Sequence, residues 1–580
     1  MSERQVEELG GDAVGVRGDG TIGVRVHAFG PVGETEERDI NNVPAVVLGS
    51  SVRSVEVSEV APPAGVIEAA VAPGLLRNLE LLPWITAVTP LTPVHLNSGV
   101  IKSEGVQLHG ADKAALAGLD GEGATVGVIS DGVRNLADAQ RNGRLPQSVT
   151  VLDPGPPVKD ANEGTAMLEV VHDMAPKAQL VFASVHGPGG LDGAMRKLAQ
   201  HGVNIITHDI AIDVAPAFQR GQEAATADEL AAKGILLVTS VGNLGDRHAP
   251  RRSAIGTGHT SAPAGPPNAF AKCKSGTFDN LVDLTGHGDT TFTVELPPQK
   301  TSTINLQWSE PRAIFPTVGQ GGFTNLDLLL LNVSGTDCLG QSTGVQMNGR
   351  GDTQEKIVYR NTQNFPVRAK IAVNVTGATT KIVPTYDLRW RGAVSKDVPD
   401  PVGSLDPNAN FTGKATSVGA VNASASTSPT DIPIEPFSAA GPVRILTTTQ
   451  CAKGAAGPCT GVAGPGGVSY AAPTWSAADG VSISGAGGFG SGKCPTLKQG
   501  DCRFFGTSAA APSAAGVAAL IRNALNRNGV MMSPDALPAA MRAAAEARGT
   551  PGLSNPYGYG VLQVRPSLFP PGVNRSPKLS

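Results

Sequence analysis

Aromatic side chains are scarce, with Phe, Tyr and Trp together making up 4% of the 580 residues. Charge is also sparse at 17%, and nearly balanced, with a formal net charge of -4. That balance removes the basic footprint nucleic-acid binding requires, so DNA and RNA are excluded as expected partners. No uninterrupted apolar stretch approaches the roughly 18 to 20 residues that cross a bilayer, so no membrane span is expected. The start, MSERQVEELGG, lacks the basic and then apolar run of a secretory signal. Two readings follow: a cytosolic protein, or an exported one whose signal has been replaced by an initiator Met. The chain also has no Cys-x-x-Cys pair and no Cys/His spacing of a zinc site.

What is plentiful is glycine (72) and proline (45), a mixture suited to many turns and short strands. With 40% hydrophobic residues the chain can fill more than one core, and two or three domains are expected. Six cysteines stand at 273, 338, 451, 459, 494 and 502. The last four form two close pairs in loops, so Cys451–Cys459 and Cys494–Cys502 are the economical bridges among about 15 pairings, leaving Cys273 with Cys338. This points to an oxidising compartment and a secreted protein. Six reduced thiols are the alternative.

Residues 22 to 100 alternate β-like runs (IGVRVHAF, AVVLG, GVIEAAVA, ITAVTP) with a helix-like stretch around PGLLRNLELL, which reads as a small α+β unit over 1–97. After the connector TPVHLNSG the texture changes to apolar strands (125 to 129, 179 to 184, 203 to 207, 235 to 240) separated by helical patterns (163 to 174, 191 to 201, 222 to 233). Strands apolar throughout and alternating with helices predict an α/β domain on a parallel sheet, assigned to 98–265 and 400–580. Between about 270 and 392, period-two runs such as TTFTVEL, STINLQW and NLDLLLLNV predict an antiparallel β-sandwich inserted over 266–399.

The most informative segment is FFGTSAAAPSAAGVAALIRNAL. Gly506 permits a tight turn, and the small residues after Ser508 let a helix begin at once and pack deep against a sheet. A serine so placed offers its hydroxyl at a helix N-terminus, where backbone N–H groups face a developing anion. A buried Ala-rich helix is the plainer reading. A third, an esterase, would present Gly-x-Ser-x-Gly, which Gly506-Thr507-Ser508-Ala509-Ala510 is not.

GTSAAAPSAAGVAAL closely resembles the serine motif of the subtilisin-like peptidases, and other features follow in that family's order. VGVISDGV resembles the strand that ends on the triad aspartate, here Asp131; LLVTSVGNLG resembles the strand carrying the oxyanion-hole asparagine, here Asn243. ATSVGAVNA with EPFSAAGP, and NPYGYGVLQV, resemble later segments. The resemblance covers roughly 100 to 260 and 400 to 565. It implies a subtilisin-like fold, a serine endopeptidase acting on protein or peptide substrates as a monomer, no cofactor in the chemistry, and an N-terminal unit like the family's prodomains. The last implies cleavage near residues 90 to 105. A structural calcium is compatible with the family but cannot be located from the sequence.

Two departures stand out. Gly132 directly follows Asp131, where the family usually has Ser or Thr first. More consequentially, EGTAMLEVVHDMAPKAQLVFAS places Glu163 where the family has its catalytic histidine. His172 lies nine residues further, about 2.5 turns and roughly 13 Å along a helix, and cannot substitute. His201, His208 and His248 occupy no matching position and read as surface or packing residues. A glutamate here resembles the sedolisins, whose serine is activated by Glu with a supporting Asp one turn on, yet that residue is Met167. Asp131 would then support Glu163, with Asp209 as a second candidate or an ordinary turn aspartate. The resemblance thus implies a site of Ser508, Glu163, Asp131, Asn243 and Asp209. A non-catalytic scaffold that has lost its histidine is the alternative.

Overall fold

The computed structural model describes residues 22–28, 34–41, 55–61, 66–72, 75–79, 81–90, 104–158, 161–245, 260–261, 273, 281–282, 284, 289–310, 312, 324–346, 351–376, 385–395, 404–409, 415–450, 460–485, 502–549 and 556–565. Seven parallel strands form the central layer: β1 (Thr125–Ser130), β2 (Thr150–Asp153), β3 (Gln179–Ser184), β4 (Ile205–His208), β5 (Leu236–Ser240), β6 (Thr416–Asn422) and β7 (Trp475–Asp479). Their spatial order is β7-β6-β5-β4-β1-β3-β2. The longest helices packed on this sheet are α1 (Glu163–Met174), α2 (Gly190–Gln200), α3 (Gln222–Ala232) and α4 (Thr507–Arg527).

Alternation along each strand explains why both faces are covered. Leu180 and Phe182 of β3 join α1 and α4 in one core, while Val181 and Ala183 join α2 and α3 in the other. A sheet buried on both sides needs apolar residues at every position, which is why these strands read as continuous apolar runs. The chain leaves β1 toward β3 and β2 on one side and returns through β4 on the other. The carboxyl ends of β1 and β4 therefore flank the point where the strand order reverses, the usual place for a site in such sheets.

Between β5 and β6 lie two antiparallel sheets. One contains Phe292–Leu296, Asn325–Asn332, Cys338–Ser342 and Val367–Thr376; the other contains Thr301–Trp308, Gln354–Arg360 and Tyr386–Arg391. They share a core that includes Ile304, Trp308, Leu328, Ile371 and Trp390, the arrangement expected from the period-two pattern. Cys273 and Cys338 are joined by a disulfide. Cys502 is also disulfide-bonded; Cys451, Cys459 and Cys494 lie outside the described residues, as does the connector TPVHLNSG.

The N-terminal unit is a β-α-β-β-α-β arrangement with strand order Val55–Ala61, Val66–Val71, Ile22–Ala28, Ile85–Pro90. Two of its elements are not evident from sequence pattern. Helix Glu34–Asn41 has one apolar residue, Ile40, in its eight, and in Val55–Ala61 the alternation begun by Val55 and Val57 breaks at Ser58-Glu59, where the pairing register shifts. The AVVLG run read as a strand lies outside the described residues. Among the described residues no helix is long and apolar enough to cross a membrane.

The first turn of α1 is pressed against the sheet. A β-carbon at Gly164 would overlap the Phe182 ring and lie 2.7 Å from the Gly132 carbonyl oxygen. Gly164→Ala is therefore expected to cost about 1–3 kcal/mol, the usual range for overpacking a filled core. Urea unfolding would measure it, and an unchanged midpoint would contradict the packing described.

Candidate active site

Ser508 is the second residue of α4, and the turn that delivers it depends on Gly506, whose φ of 102° and ψ of 163° fall where only glycine is comfortable. The Gly506 N–H donates to Asp479 Oδ2 at 3.1 Å, tying the turn to the end of β7. Burial and the neighbouring Glu435 push the Asp479 carboxyl well above the usual range. As an N–H in the first turn of a helix, that of Ser508 has no intrahelical carbonyl partner.

Asn243 follows β5 and is held from the same turn. Its Oδ1 accepts from the Thr507 N–H at 3.0 Å and the Thr507 hydroxyl at 2.8 Å, while Thr507 Oγ1 accepts from the Gly242 N–H at 3.2 Å. A backbone N–H can only donate, so the amide oxygen must face Thr507 and the Nδ2 group points the other way as a donor.

Glu163 is the first residue of α1 and is 1% exposed. Burial raises its pKa well above the ordinary value. The charges of Asp209 and Asp131 raise it further, and the nearby Ser508 hydroxyl opposes the rise. Neither Glu163 oxygen nor Ser508 Oγ has an ordinary short hydrogen bond at rest. Asp209 and Ser508 are nevertheless near enough to govern the Glu163 proton, and such contacts commonly tighten only once substrate is bound. Burial also lifts Asp209, to about 7; the polar neighbours Glu163 and Ser130 oppose the rise, and the Asp131 charge adds to it.

Asp131 stands differently. Its carboxylate accepts from the N–H groups of Gly132 (2.6 Å), Asn162 (3.1 Å) and Gly164 (3.4 Å), so it caps the start of α1. Burial nonetheless moves it to about 6. Sequence reasoning gave Asp131 the first supporting role and held Asp209 as the second candidate. In the structure Asp209 is the carboxyl against Glu163, while Asp131 acts on it through charge and through the helix start. Met167 is a fully buried core residue.

The histidines are elsewhere. His172 sits beside Asp173 and Arg144, and His201 is exposed at the end of α2. His208 accepts from the Ile210 N–H at 3.3 Å, lies 3.1 Å from the Thr239 hydroxyl, and is pushed down to about 3 by burial, so it is a neutral packing residue. His248 lies outside the described residues. Sequence reasoning missed Ser130, Asn162, Thr507 and Asp479; Ser130, Asn162 and Thr507, adjacent to Asp131, Glu163 and Ser508, could have been suspected from position, and Asp479 could not. Among the described residues no group of three or more His, Cys, Asp or Glu side chains is arranged to hold a metal ion.

The raised carboxyls carry a stability signature. A folded-state pKa above the unfolded one means the native state binds the proton more tightly, so stability is lost as pH rises from about 4 through about 7. Glu163→Gln removes one contributor. Its melting temperature relative to wild type is expected to improve steadily from pH 4 to pH 7, by calorimetry; a constant difference would contradict the raised pKa.

Residues 394–560 match the sequence model of the Subtilase family. No curated protein matches the chain. Among solved structures, the CspB protease of Clostridium perfringens is similar at 14% identity and a TM-score of 0.43, over 78% of this chain and 96% of that one. The epidermin leader peptide processing serine protease of Staphylococcus aureus is similar at 13% identity and a TM-score of 0.42, over 94% and 96%. No activity is carried over from either. The sheet order, the helices on both its faces and the family match over 394–560 together identify the fold as subtilisin-like, with a Subtilase-family segment that includes Ser508 and its helix.

Proposed function

We propose that the chain is a serine endopeptidase in which Ser508 is the nucleophile and Glu163, paired with Asp209, is the general base. The observation that carries the reading is the convergence on one turn of the Ser508 hydroxyl, the raised Glu163 carboxyl and the oriented Asn243 amide. Ser508 Oγ attacks the peptide carbonyl carbon as its proton passes to Glu163, and the carbonyl electron pair moves onto oxygen. The Asn243 Nδ2 group and the Ser508 N–H receive that oxyanion; one such donor is worth roughly 3 kcal/mol. Collapse expels the amine, which takes the proton from Glu163, and water then hydrolyses the acyl-enzyme by the same relay.

The carboxyl pair suits this task when it holds one proton. Contact with Asp209 raises Glu163 while contact with Glu163 lowers Asp209, so the shared proton rests on Glu163 and passes to Asp209 as Glu163 turns acceptor; receipt of the Ser508 proton then takes the pair from one negative charge to neutral. The reading makes protein or peptide the substrate, and the Cys273–Cys338 bridge supports an oxidising, extracellular location. The N-terminal α+β unit is read as a prodomain on its likeness to that family's.

A catalytically silent scaffold is the second reading, favoured by the complete burial of Ser508. Labelling with a serine-directed fluorophosphonate across a pH series separates the two. Ser508 should label, with the rate rising through an apparent pKa above the 4.5 of an ordinary glutamate. Glu163→Gln should cut peptide cleavage by roughly 10² to 10⁴, the usual worth of a positioned base. Ser508→Ala should fall at least as far and the double variant little further, because residues acting as a unit are not additive. Full activity in Glu163→Gln would remove the base assignment, and no labelling at any pH would leave the scaffold.

A further inference from the structure

The three-stranded sheet of the insertion meets the site-bearing layer through polar side chains. From its middle strand, Asn305 Nδ2 donates to the Asp213 carbonyl at 2.7 Å, and Gln307 Nε2 donates to the Ala215 carbonyl at 2.9 Å. Its last residue, Arg391, reaches further. Arg391 Nε donates to Asp213 Oδ1 at 2.7 Å and Nη2 donates to Asp406 Oδ1 at 3.2 Å, with the guanidinium side chain only 16% exposed.

One of the two carboxylates belongs to a segment that carries a proposed site residue, and the other packs against such a segment. Asp213 lies four residues after Asp209 on the stretch leaving β4. Asp406 donates its backbone N–H to the Val241 carbonyl at 2.9 Å, and its carboxylate lies so close over Gly242 that a β-carbon there would overlap it. Gly242 immediately precedes Asn243. Asn408, two residues beyond Asp406, donates to the Ile210 carbonyl at 2.8 Å and accepts from the Ile212 N–H at 3.1 Å. Arg389 grips Asp387 through two bonds of 2.6 and 2.9 Å, which leaves Arg391 as the closer cation to Asp406.

We propose that the inserted sandwich is a positioning element for the site and that Arg391 is the residue through which it acts. By bridging Asp213 and Asp406, its planar fork sets the separation between the segment that begins at Asp209 and the turn that presents Asn243. A lysine carries the charge without the fork and cannot hold both carboxylates in the same way. Without Arg391 the two buried carboxylates lose the cation that bridges them, Asp406 keeps Arg389 at 3.9 Å, and the segments are no longer tied together. The effect on the rate rests on the peptidase reading; the mechanical link does not.

Hydrogen exchange read by mass spectrometry on the full chain tests the link, with Arg360→Gln as a control at an exposed position of the same sheet. In Arg391→Gln, exchange should quicken together in 209–216 and 241–245 and stay unchanged in the control. Arg391→Lys, the milder variant should Arg391→Gln fail to fold, should loosen these segments less. With a peptide substrate, kcat should fall roughly 10- to 100-fold, as for a small misplacement of reacting groups, while KM moves by no more than about twofold. Exchange unchanged in both segments, or raised evenly across the sandwich, would overturn the proposal whatever the activity. Quickened exchange in a protein whose Ser508 never labels would leave the link standing and the peptidase reading refuted.

Discussion

The site turns on one costly placement, a carboxyl at the first position of α1 with no salt-bridge partner among the described residues. The charged groups that act on Glu163 are Asp209 and Asp131, both acids, so burial and charge work in the same direction and the side chain must keep a proton or share one. The surrounding architecture makes this tolerable. Asp131 spends its negative charge on the N–H groups at the start of α1, and the Ser130 hydroxyl holds down the pKa of Asp209. Gly164 lets that helix start lie flat against β3, which is what brings Glu163 to the turn bearing Ser508.

A histidine in this position would be neutral when buried and would become charged on taking the serine proton. In the proposed mechanism the carboxyl pair reverses that sequence: it starts with one negative charge and ends neutral as the oxyanion forms. The burden of stabilising charge then falls on the donors around the carbonyl oxygen, so the orientation of Asn243 matters more. Its amide is fixed by Thr507, the neighbour of Ser508, so one turn sets the proposed nucleophile and the proposed oxyanion donor together. The link through Arg391 adds a third element to the same geometry, supplied from outside the parallel sheet.

Much of this was legible in the sequence because period and motif agreed. Helix Glu163–Met174 and strand Gln179–Ser184 fall where the apolar pattern put them, and the Gly506-Thr507-Ser508 turn is written in adjacent residues. What could not be read was contact between residues far apart in the chain. Asp209 follows the apolar run VNIITH and looks like any turn aspartate; only the parallel pairing of Ile129 with His208 brings it beside Asp131 and Glu163. Asp479 and Arg391 are hidden for the same reason, since nothing local distinguishes a strand-ending Asp that meets a turn 27 residues on, or an Arg that meets a carboxylate 178 residues back. Asp131 was legible as a site residue, but its service to the backbone of α1 was not.

The central claim is that Glu163 and Asp209 titrate as one proton-sharing pair beside Ser508. Carbon-13 NMR of side-chain-labelled carboxyls, with Glu163 assigned through Glu163→Gln, tests it directly. The account predicts a Glu163 resonance that titrates well above the ordinary glutamate value, in two coupled steps, and that Asp209→Asn merges these into one. A single Glu163 titration near 4.5 that is indifferent to Asp209→Asn would contradict it.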